Sequence, residues 1–158
     1  MAVMKVADAI KRMKAAGHDI SDEYSNERCI EFLNNAIQQA GALLINAKWP
    51  SLIKEMIVRD GDSLPDNFMK AAGTYPLRMT EGTVKILGSD YNSIRFRYFA
   101  TPANVEKETD TLPFNHNGIN EVIVQSAVLL ALNENEYDIT QDQNLVTSLM
   151  QAIASGMA

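Results

Sequence analysis

The residues that could carry acid–base, nucleophilic or metal chemistry are few and far apart in this sequence. The chain has two histidines, His18 and His116, and one cysteine, Cys29. Neither histidine has a Cys, His or carboxylate at metal-ligand spacing on a recognisable helix or hairpin. Cys29 falls on the apolar stripe of a predicted helix, where cysteine behaves as a small hydrophobe. The sequence therefore predicts no catalytic residue, no metal and no cofactor, and it predicts His116 as a surface or helix-capping residue.

Three carboxylates, Glu106, Glu108 and Asp110, alternate in a polar segment of the chain. They could bind a hard cation, but no glycine-centred calcium loop surrounds them. The glycines in the middle of the chain are isolated, and they form neither a phosphate-binding loop nor a nucleophile elbow. We therefore interpret residues 101–113 as a solvated acidic loop.

Arg95 and Arg97 alternate with aromatic residues in the clearest strand pattern of the chain, SIRFRYFA. Arginines interleaved with aromatic rings can stack on nucleic-acid bases. In an acidic protein, the simpler interpretation is a half-buried strand with the arginines outside and Ile94, Phe96 and Tyr98 inside. A subunit contact is a further alternative, because arginine is enriched at the anchor points of protein interfaces.

The length and composition of the chain are those of one globular domain, predicted over residues 1–158. Hydrophobic residues make up 46% of the chain, which suffices for a core without disulfides. A single cysteine suits a reducing compartment. The N-terminus lacks the apolar stretch of a secretory signal, and the longest apolar run, within 119–132, is too short for a membrane span. We therefore expect no membrane partner.

Charge is unevenly distributed along the chain, whose net charge is −6. Residues 1–17 carry a net charge of +3, and residues 101–158 carry one of −7. An acidic half disfavours specific binding to nucleic acid. Opposite charges could bring subunits together, whereas the plainer interpretation is a solvated surface with local ion pairs. The residues that we predict in contacts with a subunit or partner are Lys11, Arg12, Arg95, Arg97, Asp138 and Asp142.

The hydrophobic periodicity predicts the elements that position these residues. Apolar residues at three- and four-residue steps predict four helices, at about residues 3–15, 22–47, 117–133 and 140–154. The segment between the second and third helices, about residues 52–100, predicts strands instead. The fold class is therefore α+β: mainly a helical bundle, with a small antiparallel β-sheet inserted in the middle of the chain.

Within this middle segment, residues 52–59 and 93–100 read as strands. Residues 75–87 read as two short strands around Glu81 and Gly82, and SLPDNFMKAAG is expected to hold a single helical turn before Gly73. The helix at 117–133 is apolar on almost every side, which predicts that it is buried by its own domain or by neighbouring subunits.

The order of these segments, over about residues 1–154, resembles the head-to-tail connector proteins of tailed bacteriophages, also called adaptor or head-completion proteins. The resemblance starts with a helix pair that is followed by Trp49-Pro50 and a strand. It continues through SLPDNF, short β segments and a strand ending in FRYFATP. The acidic ETDTLPF then leads into a helix beginning NGINEVIVQSAVLLAL, and a last helix follows.

The resemblance implies a non-enzymatic virion protein located at the capsid–tail junction and made in the host bacterial cytoplasm. Members of this family form a ring, usually of twelve copies, that docks under the portal protein. The ring extends the DNA channel and links the capsid to the next neck or tail protein. The resemblance carries no individual functional residue over to this chain. An acidic channel wall would let packaged DNA slide by like-charge repulsion, and the acids that we place there are Glu106, Glu108 and Asp110.

Two alternatives remain open. The first is another neck component, such as a stopper or tail-completion protein, although such proteins are usually richer in β-structure. The second is a small cytoplasmic α+β enzyme or ligand-binding domain. This alternative requires a pocket with converging polar groups, for which the sequence offers only Arg95, Arg97, Tyr98 and His116.

Overall fold

The structure is a computed structural model that describes residues 3–16 and 24–157, the last three of them by their backbone alone. The described residues form four α-helices: α1 (Val6–Ala16), α2 (Asn26–Asn46), α3 (Asn117–Leu132) and α4 (Gln143–Met157). They also form five strands: β1 (Ile53–Arg59), β2 (Phe68–Ala71), β3 (Leu77–Thr80), β4 (Thr83–Ile86) and β5 (Ser93–Ala100). The strands lie in the middle of the chain between helices and pair antiparallel, so the predicted α+β class is confirmed.

The helices agree with the predicted ones except at their ends. The first helix begins at Val6 because Met4 and Lys5 are extended beside the segment that precedes α3. There the Leu112 N–H donates to the Met4 carbonyl at 2.8 Å, and the Val6 N–H donates to the Asp110 carbonyl at 2.8 Å. The second helix begins at Asn26, and the predicted start at residue 22 lies outside the described residues. A short 3-10 turn, Ile139–Gln141, precedes α4 and delays its start.

The chain divides into two compact units. The helical unit consists of the described residues up to Leu43 and from Pro102 onwards, and the strand unit is Leu44–Thr101. The prediction of one domain over residues 1–158 stays a prediction. By sequence, the strand unit carries eight basic and six acidic side chains, a net charge of +2. The remainder carries six basic and fourteen acidic side chains, a net charge of −8.

Helix α3 is the centre of the helical unit, as its sequence predicts. It packs against α1 and α4. Its buried residues cover a little more than half of the helix circumference: Ile119, Asn120, Val122, Ile123, Val124, Ser126, Ala127, Leu130 and Ala131. The remaining face is partly or fully exposed, and its residues are Glu121, Gln125, Val128, Leu129 and Leu132. Burial of one broad face of α3 within its own unit is therefore confirmed, and burial of the remaining face by a neighbouring subunit stays a prediction.

Helix α2 is joined to the chain segments on either side of α3 by side-chain hydrogen bonds. The Asn34 amide both donates to the Val105 carbonyl (2.9 Å) and accepts from the Val105 N–H (2.8 Å). Gln38 donates to the Pro102 carbonyl at 2.8 Å. The Gln39 carbonyl oxygen accepts from the Ile139 N–H at 2.8 Å. These bonds satisfy backbone groups of irregular segments that have no partner in a helix or sheet.

The close approach of α2 to the chain near Pro102 depends on Gly41. A Cβ atom at Gly41 would lie 2.7 Å from the Cδ and 2.8 Å from the Cγ of Pro102. Overpacking costs about 1–3 kcal/mol, whereas alanine gains about 1 kcal/mol over glycine inside a helix. Because the proline ring cannot rotate away, we expect Gly41→Ala to lower the free energy of unfolding by about 1 kcal/mol net. Urea denaturation followed by circular dichroism measures this change.

The control for Gly41→Ala is the same substitution in a Pro102→Ala background. The ring that meets the new Cβ is then gone, while the carbonyl at residue 102 can still accept from Gln38. In this background we expect the change to be neutral or to stabilise by up to about 1 kcal/mol, the helix propensity of alanine. An equal loss in both backgrounds would contradict the role of the ring.

The strand unit contains a three-stranded sheet in the order β1-β5-β2 and a two-stranded hairpin, β3-β4. The hairpin turns at Glu81 (φ 51°) and Gly82 (φ 78°), where two consecutive positive φ angles match the twist of a tight β-hairpin. The two short strands predicted around this turn, and the strand at 93–100, are confirmed.

The helical turn predicted in SLPDNFMKAAG is wrong, because residues 68–71 are strand β2. Its first residue, Phe68, packs on two rings of β5. The ring centroid of Phe68 lies 6.3 Å from that of Phe96 and 5.6 Å from that of Tyr98. Pairing with β5 and burial of this ring outweigh the helix-start signal of the Leu64-Pro65 pair.

Candidate functional site

The predicted contact residues of the helical unit lie partly along a groove between α1, α3 and α4. The groove has a volume of about 600 Å³. Arg12, on α1, forms an ion pair with Glu121 on α3 at its rim, and both side chains are about half exposed. The apolar residues that line it are Ala16, Val124, Val128, Leu129 and Leu145, and its further polar residues are Gln125, Asp142 and Asn144. The structure therefore brings Arg12 and Asp142 to one groove, whereas Lys11 is exposed on α1.

The carboxylates of Asp138 and Asp142 both accept hydrogen bonds from backbone N–H groups of nearby turns. The Asp138 carboxylate accepts from the Thr140 N–H at 2.9 Å and caps the 3-10 turn. Asp142 accepts from the Leu145 N–H at 3.1 Å at the start of α4, and it also accepts from the Tyr137 hydroxyl. The hydrogen bond from Tyr137, followed by that from Leu145, lowers the pKa of Asp142. This carboxylate is therefore ionised at neutral pH.

The three acids of the predicted acidic loop differ in their surroundings. Asp110 accepts from the N–H groups of Glu106 (2.8 Å) and Lys107 (3.0 Å), which lower its pKa. Glu108 accepts from the Asn26 side chain at 2.9 Å. Glu106 is exposed. Asp110 thus shapes the loop, and Glu106 and Glu108 give it a negative surface; whether this surface faces a DNA channel stays a prediction.

Two residues considered for chemistry have structural contacts. The Nδ1 atom of His116 accepts from the Ile119 N–H at 3.3 Å, so His116 caps α3 as predicted. Cys29 is buried in α2, as predicted for a core residue, and burial raises the pKa of its thiol. His18 lies outside the described residues. Among the described residues, no three His, Cys, Asp or Glu side chains cluster as the ligands of a metal ion do.

Arg95 and Arg97 lie on the outer face of the three-stranded sheet. Along β5 they are exposed, whereas Ile94, Phe96 and Tyr98 are buried, so the predicted alternation is confirmed. Arg95 is 3.8 Å from the Glu55 carboxylate, and both side chains are more than half exposed. Such an exposed pair contributes at most about 1 kcal/mol and leaves the arginine accessible to a partner.

Sequence reasoning missed two residues of this outer face, Ile57 and Arg59 on β1. The strand register places Ile57 directly opposite Arg95 and Glu55 opposite Arg97. Arg59 pairs with Ser93 on the same face. The sequence of β1, IKEMIVR, has no clean alternation that would place Ile57 and Arg59 on one face, and joining β1 to β5 requires a pairing between distant parts of the chain.

Comparison with known proteins does not assign this chain to a family. A scan against protein-family models finds no match, and a search of curated proteins finds no significant relative. In the part of the chain that the structure describes, no helix has both the length and the apolar character for a membrane crossing.

Proposed function

We propose that this protein is a non-enzymatic virion subunit of a tailed bacteriophage, a ring-forming adaptor that docks under the portal. The observation that carries the proposal is the order of elements along the chain. Two helices precede a set of strands at 53–100, and a loop with acidic residues then leads through Leu112 and Pro113 into the buried α3 and the last helix. The resemblance to the connector proteins rests on this order of elements.

The physical properties of the two units support an assembly function. A ring requires two different surfaces of one protomer to match each other, since its contacts are head-to-tail. The strand unit has a net charge of +2 and the rest of the chain one of −8, so opposite charges lie on different parts of each copy. Complementary charge of this kind favours encounter and sets the orientation of the partners.

In this function, the ring extends the channel through which packaged DNA passes. Glu106, Glu108 and the neighbouring acids would line or border the channel and repel the phosphates, so that DNA slides without being held. The portal protein binds one side of the ring, and the next neck or tail protein binds the other. The protein is made in the cytoplasm of the host bacterium and acts at the capsid–tail junction.

One observation favours a second candidate, a small ligand-binding domain. The groove of about 600 Å³ in the helical unit has an apolar floor and a charged rim, which is the usual build of a small-molecule site. Its volume is within the range of such sites, about 300–1,000 Å³. A different neck component, such as a stopper or tail-completion protein, is the third candidate.

A tagged pull-down from the producing cells tests the proposal. The retained material is identified by mass spectrometry and imaged by electron microscopy, with cells that express the untagged chain as the control. We expect recovery of capsids that contain the portal protein, with a ring of density at the portal vertex. Recovery of the chain alone, or with a small molecule in its groove, would overturn the adaptor function. Density farther along the neck, away from the portal, would favour another neck component.

A further inference from the structure

The outer face of the three-stranded sheet has the composition of a protein interface. We call Ile57, Arg59, Arg95 and Arg97 the arginine patch. Ile57 is 57% exposed, and Arg95, directly opposite on β5, has a side chain that is 69% exposed. An exposed apolar residue surrounded by arginines is typical of the anchor region of an interface, where arginine is enriched and lysine depleted.

The charges of the arginine patch are poorly compensated within the chain. Among the described residues, Arg59 and Arg97 form no ion pair, and Arg95 has only the 3.8 Å contact with Glu55. Arg59, Arg95 and Arg97 share this face of the sheet with one carboxylate, that of Glu55 opposite Arg97, so the face carries an excess of positive charge. A partner with carboxylates would balance this positive charge and form charge-assisted, bidentate hydrogen bonds.

The helical unit presents a surface with the opposite charge. We call the last residue of α3, Leu132, together with Glu134, Glu136 and Asp138, which follow it, the acidic turn. Leu132 is 49% exposed, and the three acids are exposed around it in the sequence. Neither Glu134 nor Glu136 forms an ion pair among the described residues. The acidic turn therefore has the same design as the arginine patch, one apolar side chain among charges, with the sign reversed.

The backbone of the acidic turn is fixed by hydrogen bonds. Glu134 (φ 52°) and Asn135 (φ 67°) both have left-handed backbone conformations. The Asn135 N–H donates to the Leu130 carbonyl at 2.8 Å, and the Asn35 amide on α2 donates to the Asn135 side-chain oxygen at 3.1 Å. A turn that is held in one conformation loses less entropy when it binds, so it is suited to contact with a partner.

We propose that the arginine patch of one copy binds the acidic turn of the next copy. The two surfaces belong to different units of one chain, so each copy offers both, and the contact is head-to-tail. Ile57 and Leu132 supply the apolar centre, and the arginines pair with the glutamates around it. This inference rests on the proposed function, because the contact between copies would build the proposed ring. The contact itself can be measured in the absence of portal protein.

Charge reversal tests the contact in purified protein. One variant carries Arg95→Glu with Arg97→Glu, and the other carries Glu134→Lys with Glu136→Lys. Sedimentation velocity measures association over a range of concentrations at low salt. We expect the unchanged chain to associate, and each variant alone to lose at least about tenfold in association constant, because several charge pairs turn repulsive. An equimolar mixture of the two variants is expected to associate again, since both of its mixed contacts are complementary in charge.

A matched control reverses two charges elsewhere in the strand unit. Arg78 and Lys85 are exposed and directly opposite each other on the β3-β4 hairpin. Arg78→Glu with Lys85→Glu changes the net charge by the same amount as the reversed arginine patch, and we expect it to leave association nearly unchanged. Circular dichroism establishes that every variant is folded, so that a loss of association is not a loss of structure.

Three results would overturn the proposed contact. These are an unchanged chain that stays monomeric at low salt, a mixture that does not associate, and a hairpin control that loses association equally. The failure of the contact is distinguishable from that of the adaptor function. Reversed variants that still form ring density at the portal vertex would refute the contact and leave the function intact. If the mixture of variants restores association but the protein never copurifies with capsids, the contact would be supported and the adaptor function refuted.

Discussion

Replacing Phe96 by alanine is expected to lower the free energy of unfolding of the strand unit by about 3–5 kcal/mol, the usual cost of deleting a buried aromatic side chain. Phe96 is fully buried at the centre of the sheet's inner face. Its ring centroid lies 5.7 Å from that of Tyr75, 5.7 Å from that of Tyr98 and 6.3 Å from that of Phe68. The substitution removes buried area, leaves a cavity and breaks three aromatic contacts at once.

Denaturation by urea, followed by the fluorescence of the single tryptophan, measures this loss. Trp49 belongs to the strand unit and therefore reports on its unfolding. The matched control is Tyr91→Ala, which removes an aromatic side chain that is 56% exposed. We expect this control to change the free energy by no more than about 0.5 kcal/mol. Equal effects of the two substitutions would show that the inner face of the sheet is not the core of this unit.

The second large effect is expected at Leu130, where alanine should lower the free energy of unfolding of the helical unit by about 2–5 kcal/mol. Leu130 is fully buried on α3. Because Leu130 lies within the broad buried face of α3, the neighbouring helices cannot all move in to fill the cavity, and the cost falls towards the upper part of this range. Urea denaturation followed by far-ultraviolet circular dichroism measures the helical unit, which contributes most of the helix signal.

The same helix offers the control, Leu132→Ala. This leucine lies two residues further along and is 49% exposed, so its replacement should cost no more than about 0.5 kcal/mol. Both variants are measured at high salt, where the contact proposed for the acidic turn is weakened by screening. If Leu132→Ala destabilised the chain as much as Leu130→Ala, the difference in burial between the two faces of α3 would be wrong.

Local patterns in the sequence were sufficient for most of the fold. Alternation along SIRFRYFA identified strand β5 and the side on which its arginines lie, because side chains of a strand point to opposite faces in turn. The apolar character of residues 119–132 on almost every side identified α3 as the central helix. His116 was interpreted as a surface or capping residue from its position just before α3, and its side chain caps that helix.

Features that depend on pairing between distant segments were not predictable in this way. Met4 and Lys5 lie inside the helix predicted at residues 3–15, but hydrogen bonds between this segment and residues 110–112 hold them extended. Phe68 becomes part of a strand only because β5 lies beside it. The arginine patch combines Ile57 and Arg59 with two residues of β5, and no local period connects positions so far apart in the chain. Propensity is a weak prior that such tertiary contacts override.

The division of the chain has a consequence for the order in which the protein folds during its synthesis. The strand unit is a continuous segment, Leu44–Thr101, whereas the helical unit needs residues from both sides of it. On the ribosome, the strand unit is complete before α3 and α4 exist, and domains that emerge first generally fold first. Until α3 emerges, the apolar stripe of α1 lacks the helix against which it packs. The strand unit is also the connection between the two segments of the helical unit. Once this connection is folded, it is no longer a flexible loop, and the loop-closure entropy that the helical unit must overcome is smaller.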